Sequence, residues 1–151
     1  MLEASSSKIF QVRLYYLVLS PADGVLFPWK CIWKPKAPPR VIFFIQTVAL
    51  GKILTADNLR RRHVLLVSWC CMCKENGESI DHLSLHCKVA RELWDTILNL
   101  FGMLWVMPRR VVDLLTCWQR KLGRHRHIEI WKAAPHCLIW CLWREWNVLI
   151  F

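Results

Sequence analysis

Glycine is scarce in this chain, with five among 151 residues. None sits at a spacing that wraps a phosphate, so P-loop and dinucleotide-binding chemistry are excluded. Acidic side chains are also few: 11 Asp and Glu stand against 21 Lys and Arg. No Asp-Asp pair is available to hold two metal ions for phosphoryl transfer. Ser68 and Ser84 have no evident His-Asp support for a nucleophile. The chain reads as a protein that binds rather than an enzyme. Long apolar runs are missing as well. Residues 41–50 and 64–73 are the longest, about ten residues each against the roughly 18 to 20 of a spanning helix. Residues 14–19 are too short for a signal-peptide core and lack a small-residue cleavage pattern behind them. The expectation is an intracellular protein, nuclear or cytoplasmic, with no membrane partner and no secretion.

What is present is apolar and basic. Hydrophobic residues make up 55% of the chain, mean hydropathy is +0.25, and there are ten Trp. One domain of this size has ample core material. The net charge of +10 and pI near 9.5 favour polyanionic partners. Eight Cys are unevenly placed. Four crowd into residues 70–87, while Cys31, Cys117, Cys137 and Cys141 lie among apolar neighbours and read as reduced core residues.

The crowded segment, CCMCKENGESIDHLSLHC, carries the pattern Cys-x2-Cys-x8-His-x4-Cys through Cys70, Cys73, His82 and Cys87. Three thiolates and an imidazole at this spacing suit one tetrahedral Zn²⁺ with no open position, hence a structural ion. His86 is a rival for the fourth place, because it lies four residues from His82 on one helical face. Cys87 is preferred, since a thiolate neutralises more of the cation's charge. Glu75 and Glu78 in the same loop read as solvated.

Punctuation along the chain predicts a mainly α fold, a small helical domain with one structural zinc-binding loop. Residues 1–26 read as a partly disordered leader, 27–147 as the domain, and 148–151 as an apolar tail. Within the leader, residues 9–19 suit a helix or a strand equally. Pro28, Pro35, Pro38 and Pro39 predict an extended arm over residues 27–40. Helices are predicted over 41–50, started by Pro38-Pro39 and ended by Gly51, and over 56–62, capped by Thr55. A further helix, capped by Ser79 or Asp81, runs to Phe101 with Val89, Leu93, Ile97 and Phe101 inward, flanked by Trp94 and Leu98. Pro108 opens another, with Val111, Leu114, Leu115, Trp118 and Leu122 inward and Gly123 after it. A last helix from Ile128 is broken or restarted at Pro135, with Trp131, Trp140, Trp143 and Trp146 almost all round it.

Basic residues cluster in four places, the arm (with Arg40), the run Arg60 to His63, the pair Arg109 and Arg110, and a run from Arg120. Lys30, Lys34 and Lys36 interleave with Trp29 and Trp33, a pattern that grips phosphates and stacks bases. Arg60, Arg61 and Arg62 stand just before the Cys/His segment and are read as phosphate contacts. Arg120, Lys121, Arg124 and Arg126, with His125 and His127, form the last basic run.

The runs FPWKCIWKPKAPPRVIFF, LGKILTADNLRRR, CCMCKENGESIDHLSLHC and ELWDTILNLFG together resemble the reverse-transcriptase zinc-binding domain of plant non-LTR (LINE-type) retrotransposon polyproteins. The resemblance spans about residues 9 to 147 and continues weakly through WVMPRRVVDLL and WCLWREWN. It implies Zn²⁺ ligation by Cys70, Cys73, His82 and Cys87 and a mostly helical domain. It also implies a role in holding RNA or single-stranded DNA for a reverse transcriptase domain, here supplied in trans. The chain then looks like a piece of such an element without its polymerase. Two positions depart from the family. Gln46 stands where a Trp is frequent; burial there would cost on the order of 3 to 5 kcal/mol of core packing and leave an unmet hydrogen bond. Trp146 stands where an Arg is usual. Both read as drift in an unselected copy. A protein-interaction module docking through the Trp-rich C-terminal helix is the second reading, and a remnant with no cellular role the third.

Overall fold

The computed structural model describes residues 27–64, 69–118 and 126–150. The expected leader, Leu122, Gly123 and most of the last basic run (Arg120, Lys121, Arg124, His125) lie outside the described residues. The described chain is mainly helical: α1 Trp29–Trp33, α2 Pro39–Ala49, α3 Ala56–Arg61, a π helix His82–His86, α4 Lys88–Leu100, α5 Val111–Trp118 and α6 Ile128–Ile150. Among the described residues the one extended pairing is an isolated antiparallel bridge between Trp69 and Gly77.

The basic arm is not extended. Between Pro28 and Pro35 it winds into α1, where the Ile32 amide donates to the Pro28 carbonyl at 3.0 Å. Proline is tolerated just before a helix because no donor is needed there. One turn suffices to bury Ile32 completely while Lys30 stays in solvent. Helix α2 follows Pro38 with Pro39 in its first turn, buries Val41, Ile42, Ile45 and Val48, and ends before Gly51 at φ +68°. Gln46 lies on the buried side of α2, 5% exposed, and its Oε1 has no hydrogen-bond partner. Thr55 caps α3 by accepting from the Asn58 amide at 3.4 Å.

The predicted continuous helix to Phe101 is broken at Cys87. The first part is the π helix, with Ser79 Oγ accepting from the His82 amide at 3.1 Å. Cys87 then turns extended (φ −56°, ψ 141°) before α4 begins. The inward face of α4 is rotated from the predicted stripe: Ala90, Trp94 and Leu98 are buried, and Leu93 is 41% exposed. The rotation is set by Trp94, whose indole donates to the Ser84 carbonyl of the π helix at 2.8 Å. Asp81 does not cap its own helix. It accepts from the Val111 amide at 2.9 Å and so caps α5 from 30 residues away. Helix α5 buries Val111, Leu114, Leu115 and Trp118 as predicted.

Helix α6 runs unbroken through Pro135. Proline lacks an amide hydrogen, so the carbonyl four residues before it, Trp131 O, loses its helical donor. The Trp118 indole supplies one instead, at 2.7 Å. The Trp131 indole returns a bond to Trp118 O at 3.3 Å, and the two rings stack with centroids 4.1 Å apart. Trp94, Trp105 and Phe101 surround this pair at centroid distances of 5.0 to 5.4 Å. The lone cysteines depart from their reading: Cys137 and Cys141 are exposed and Cys31 and Cys117 half-buried. They stand at the edge of the core rather than within it.

Two buried polar groups join distant segments. His136 Nε2 donates to the Ile32 carbonyl at 2.8 Å, fastening α1 to α6. A carbonyl can only accept, so Nε2 carries the proton and the buried Nδ1 is bare. Glu78, expected in solvent, is 5% exposed. Its Oε1 accepts from the Ala56 amide at 2.8 Å and its Oε2 from the Trp146 indole at 2.7 Å. It therefore ties the start of α3 to the C-terminal half of α6, and Trp146 is a buried donor with a defined acceptor rather than a drifted position.

Burial holds the His136 pKa below its usual value. A depressed histidine stabilises the fold fully above its unfolded pKa of about 6.5 and loses that contribution as pH falls toward the folded value. Urea unfolding of wild type and His136→Gln at pH 7.5 and 5.5 checks this: the variant is expected to lose less stability on acidification. Glu78→Ala strands the Trp146 and Ala56 donors. It is expected to cost on the order of 3 kcal/mol in the same assay, with Glu78→Gln costing less because an amide oxygen still accepts one bond.

Candidate metal centre

The first two donors come from a tight loop. The Cys70 amide donates to Asn76 O at 2.7 Å, the Lys74 amide donates back to Cys70 O at 2.8 Å, and the Trp69–Gly77 bridge closes the loop. Lys74 takes the left-handed conformation (φ +59°) that lets the chain reverse so sharply. The other two donors come from the ends of the π helix. Its wide turn places the Cys87 amide 2.6 Å from His82 O, five residues back, and the extended backbone at Cys87 turns its sulfur toward the loop.

The four donor atoms all lie within 4.8 Å of one another. Cys70 Sγ and Cys87 Sγ are 3.9 Å apart, and Cys73 Sγ and His82 Nε2 are 3.3 Å apart. A tetrahedron with ordinary zinc bond lengths has S···S edges of about 3.8 Å and S···N edges of about 3.5 Å, so the residues fit the ion. Cys70 and Cys87 are fully buried and His82 nearly so, while Cys73 is half-buried. Four protein donors would leave no open vertex on a tetrahedral ion.

The electrostatics point the same way. Burial, reinforced by the neighbouring Cys87 and Cys73, pushes the Cys70 thiol up to about 12. Burial also raises Cys87. At Cys73 burial is outweighed by donors from the Glu75 and Asn76 backbone, and its pKa falls. Burial, then the nearby His86, lowers His82. A neutral imidazole, two buried thiols that resist ionising without a cation, and a third, Cys73, eased toward its thiolate form a donor set suited to a divalent ion.

The rivals are placed elsewhere. His86 Nε2 lies 2.9 Å from the Arg109 carbonyl, facing the segment before α5. Cys71, half-buried, lines a cleft on the other side of the loop. The basic candidates are exposed and sit on separate helices. Arg60 and Arg61 end α3 and Arg62 follows it, with Arg61 3.3 Å from Asp57. Lys30 is on α1, and Lys34 and Lys36 follow it, with Lys36 4.0 Å from Glu129. Trp33 is 44% exposed and packs edge-on against Phe43 at 5.1 Å. The triple Arg is linked to the metal loop through α3 and the Ala56–Glu78 bond. Sequence reasoning missed Glu78; the signal was its place opposite a helix start that needed an acceptor, visible only once α3 is positioned. Among the described residues no helix is long and apolar enough to cross a membrane.

A family described as zinc-binding in reverse transcriptase matches residues 10–94, more than half of the chain. A protein of Arabidopsis thaliana named "Putative ribonuclease H protein" is 29% identical over 89 residues. The alignment covers 56% of this chain and 14% of that relative, so the chain spans about one-seventh of the relative's length. No solved structure matches the chain. All four converging donors fall inside the matched segment, in a mainly helical fold whose closed centre suits zinc. The chain belongs to the reverse-transcriptase zinc-binding family, a retrotransposon-related group.

Proposed function

We propose that Cys70, Cys73, His82 and Cys87 hold one structural Zn²⁺, and that the domain of residues 27–147 binds RNA or single-stranded DNA without catalysing a reaction. The observation that carries this reading is a closed donor set joined, through Glu78 and α3, to the exposed Arg60–Arg62 cluster. The ion stabilises the fold, with an apparent binding energy on the order of 10 kcal/mol. The fold then displays Arg60, Arg61 and Arg62, with Lys30, Lys34, Lys36 and Trp33 on α1 and beyond, to a phosphate backbone. The likeness to a protein named for ribonuclease H supports a nucleic-acid setting. Reduced thiols at the centre suit an intracellular compartment, nuclear or cytoplasmic.

A second reading rests on a different surface. Helices α4 and α6 form an apolar groove of about 580 Å³ lined by Leu93, Ile97, Phe101, Ile130 and Leu138. A reverse transcriptase domain supplied in trans would dock there, and Ile130→Glu, at a 61% exposed position, would abolish that docking while leaving nucleic-acid affinity unchanged.

Metal analysis of the purified chain is expected to give one zinc per molecule. Chelation should collapse the helical circular dichroism. Cys87→Ser should lose the ion and His86→Ala should keep it; the reverse pattern would reassign the fourth ligand. Affinity for single-stranded RNA should fall steeply with salt. Changing Arg60, Arg61 and Arg62 together to Ala should lower the log–log salt slope by about 2, at ~0.7 per phosphate contact on single strands. Affinity that stays flat from low to high salt would sink the nucleic-acid reading.

A further inference from the structure

Of the ten Trp, nine are at least partly covered by helices or neighbouring rings, and Trp69 is the most exposed at 59%. It stands immediately before Cys70, on the bridge that closes the metal loop. Its partner across that bridge is Gly77, which has no side chain to lay over the indole. Cross-strand neighbours ordinarily cover each other, so this pairing leaves the ring open. Beside it lies a cleft of about 430 Å³, lined by Leu59, Trp69, Lys74, Glu78, Leu149 and Ile150. That volume falls among those of sites for small planar ligands.

The charges around the cleft select its occupant. Lys74 is exposed at one side, and Leu59 belongs to the same helix as Arg60 and Arg61. Of the acidic groups nearby, Asp57 pairs with Arg61, and both Glu78 oxygens are engaged by neutral donors, the Ala56 amide and the Trp146 indole. Glu75 in the loop is exposed. An aromatic face, aliphatic walls and a cationic margin together suit a base carried on a phosphate backbone.

We propose that this cleft is a subsite for one unpaired nucleobase of a single strand, stacked on Trp69 while Lys74 and the Arg60–Arg62 cluster hold the flanking phosphates. The proposal rests on the nucleic-acid reading above and goes further by naming where a base is held. It also makes the protein a reader of single strands, because a base inside a duplex has both faces covered by its stacked neighbours.

The test uses the full zinc-loaded chain with a single-stranded RNA oligomer containing 2-aminopurine. Trp69→Ala is expected to weaken binding about tenfold, the scale of one base–aromatic stack, and to relieve the quenching of 2-aminopurine fluorescence. The salt slope should not change, since stacking releases no counterions. Trp69→Phe should retain most of the affinity, and zinc content with circular dichroism checks that both variants are folded. Duplex RNA of the same sequence should bind wild type and Trp69→Ala alike. If Trp69→Ala binds single strands as wild type does while the triple Arg variant is weakened, the subsite is refuted and the nucleic-acid reading stands. If wild type binds no single strand at all, both fall.

Discussion

Three sulfurs and one imidazole nitrogen meet within 4.8 Å, and the rest of the chain is arranged around that convergence. Sulfur donors at such spacing repel one another once ionised and resist ionising when buried. The backbone nevertheless spends its least ordinary features on bringing them together: a left-handed Lys74, a π helix and an extended Cys87. None of these has a better explanation in packing alone. The break at Cys87 sets where α4 begins. Trp94, bonded to the π helix, sets how α4 is rotated. Asp81, one residue ahead of the π helix, caps α5. Glu78, three residues earlier, fixes α3 and α6. Residues 78–87, with Trp94 beyond them, thus position four helices.

That concentration explains which features could be read from the sequence. Boundaries set by local chemistry were legible: Pro38-Pro39 and Gly51 around α2, Thr55 before α3, and the buried face of α5. The four donors were legible because ligand spacing is itself a local property. Features that depend on tertiary partners were not. Glu78 in a polar loop looks like a solvated carboxylate until Ala56 and Trp146 arrive beside it. Asp81 looks like a cap for the helix it precedes, yet caps one 30 residues on. On α4 the spacing shows the broad apolar face but not its centre: Trp94 and Leu98 are buried, Val89, Ile97 and Phe101 pack at its edge, and Leu93 is exposed. The arm was judged extended from its prolines, but one turn fits between Pro28 and Pro35 and is held by a histidine 104 residues away from the carbonyl it meets.

The tryptophans divide by their indole N–H. Trp94, Trp118, Trp131 and Trp146 are fully buried, and each donates to a named acceptor. A buried indole without an acceptor is costly, so each of these bonds also fixes a helix orientation. Gln46 shows the opposite case, a buried amide oxygen with no donor, set in the helix that lies against α6. The core is therefore specified by directional bonds at some positions and strained by a missing one at another.

Pro135 and Trp118 illustrate what such directional bonding does over evolutionary time. The proline's missing amide orphans the Trp131 carbonyl, and the Trp118 indole answers it. The two positions are 17 residues apart in the chain, yet the effect of replacing one depends on the other. Losing the indole first would leave a bare carbonyl inside a helix, whereas losing the proline first would give that oxygen two donors, which its two lone pairs can accept. The pair is epistatic, and a lineage that acquired the indole before the imino acid would have crossed no valley of instability.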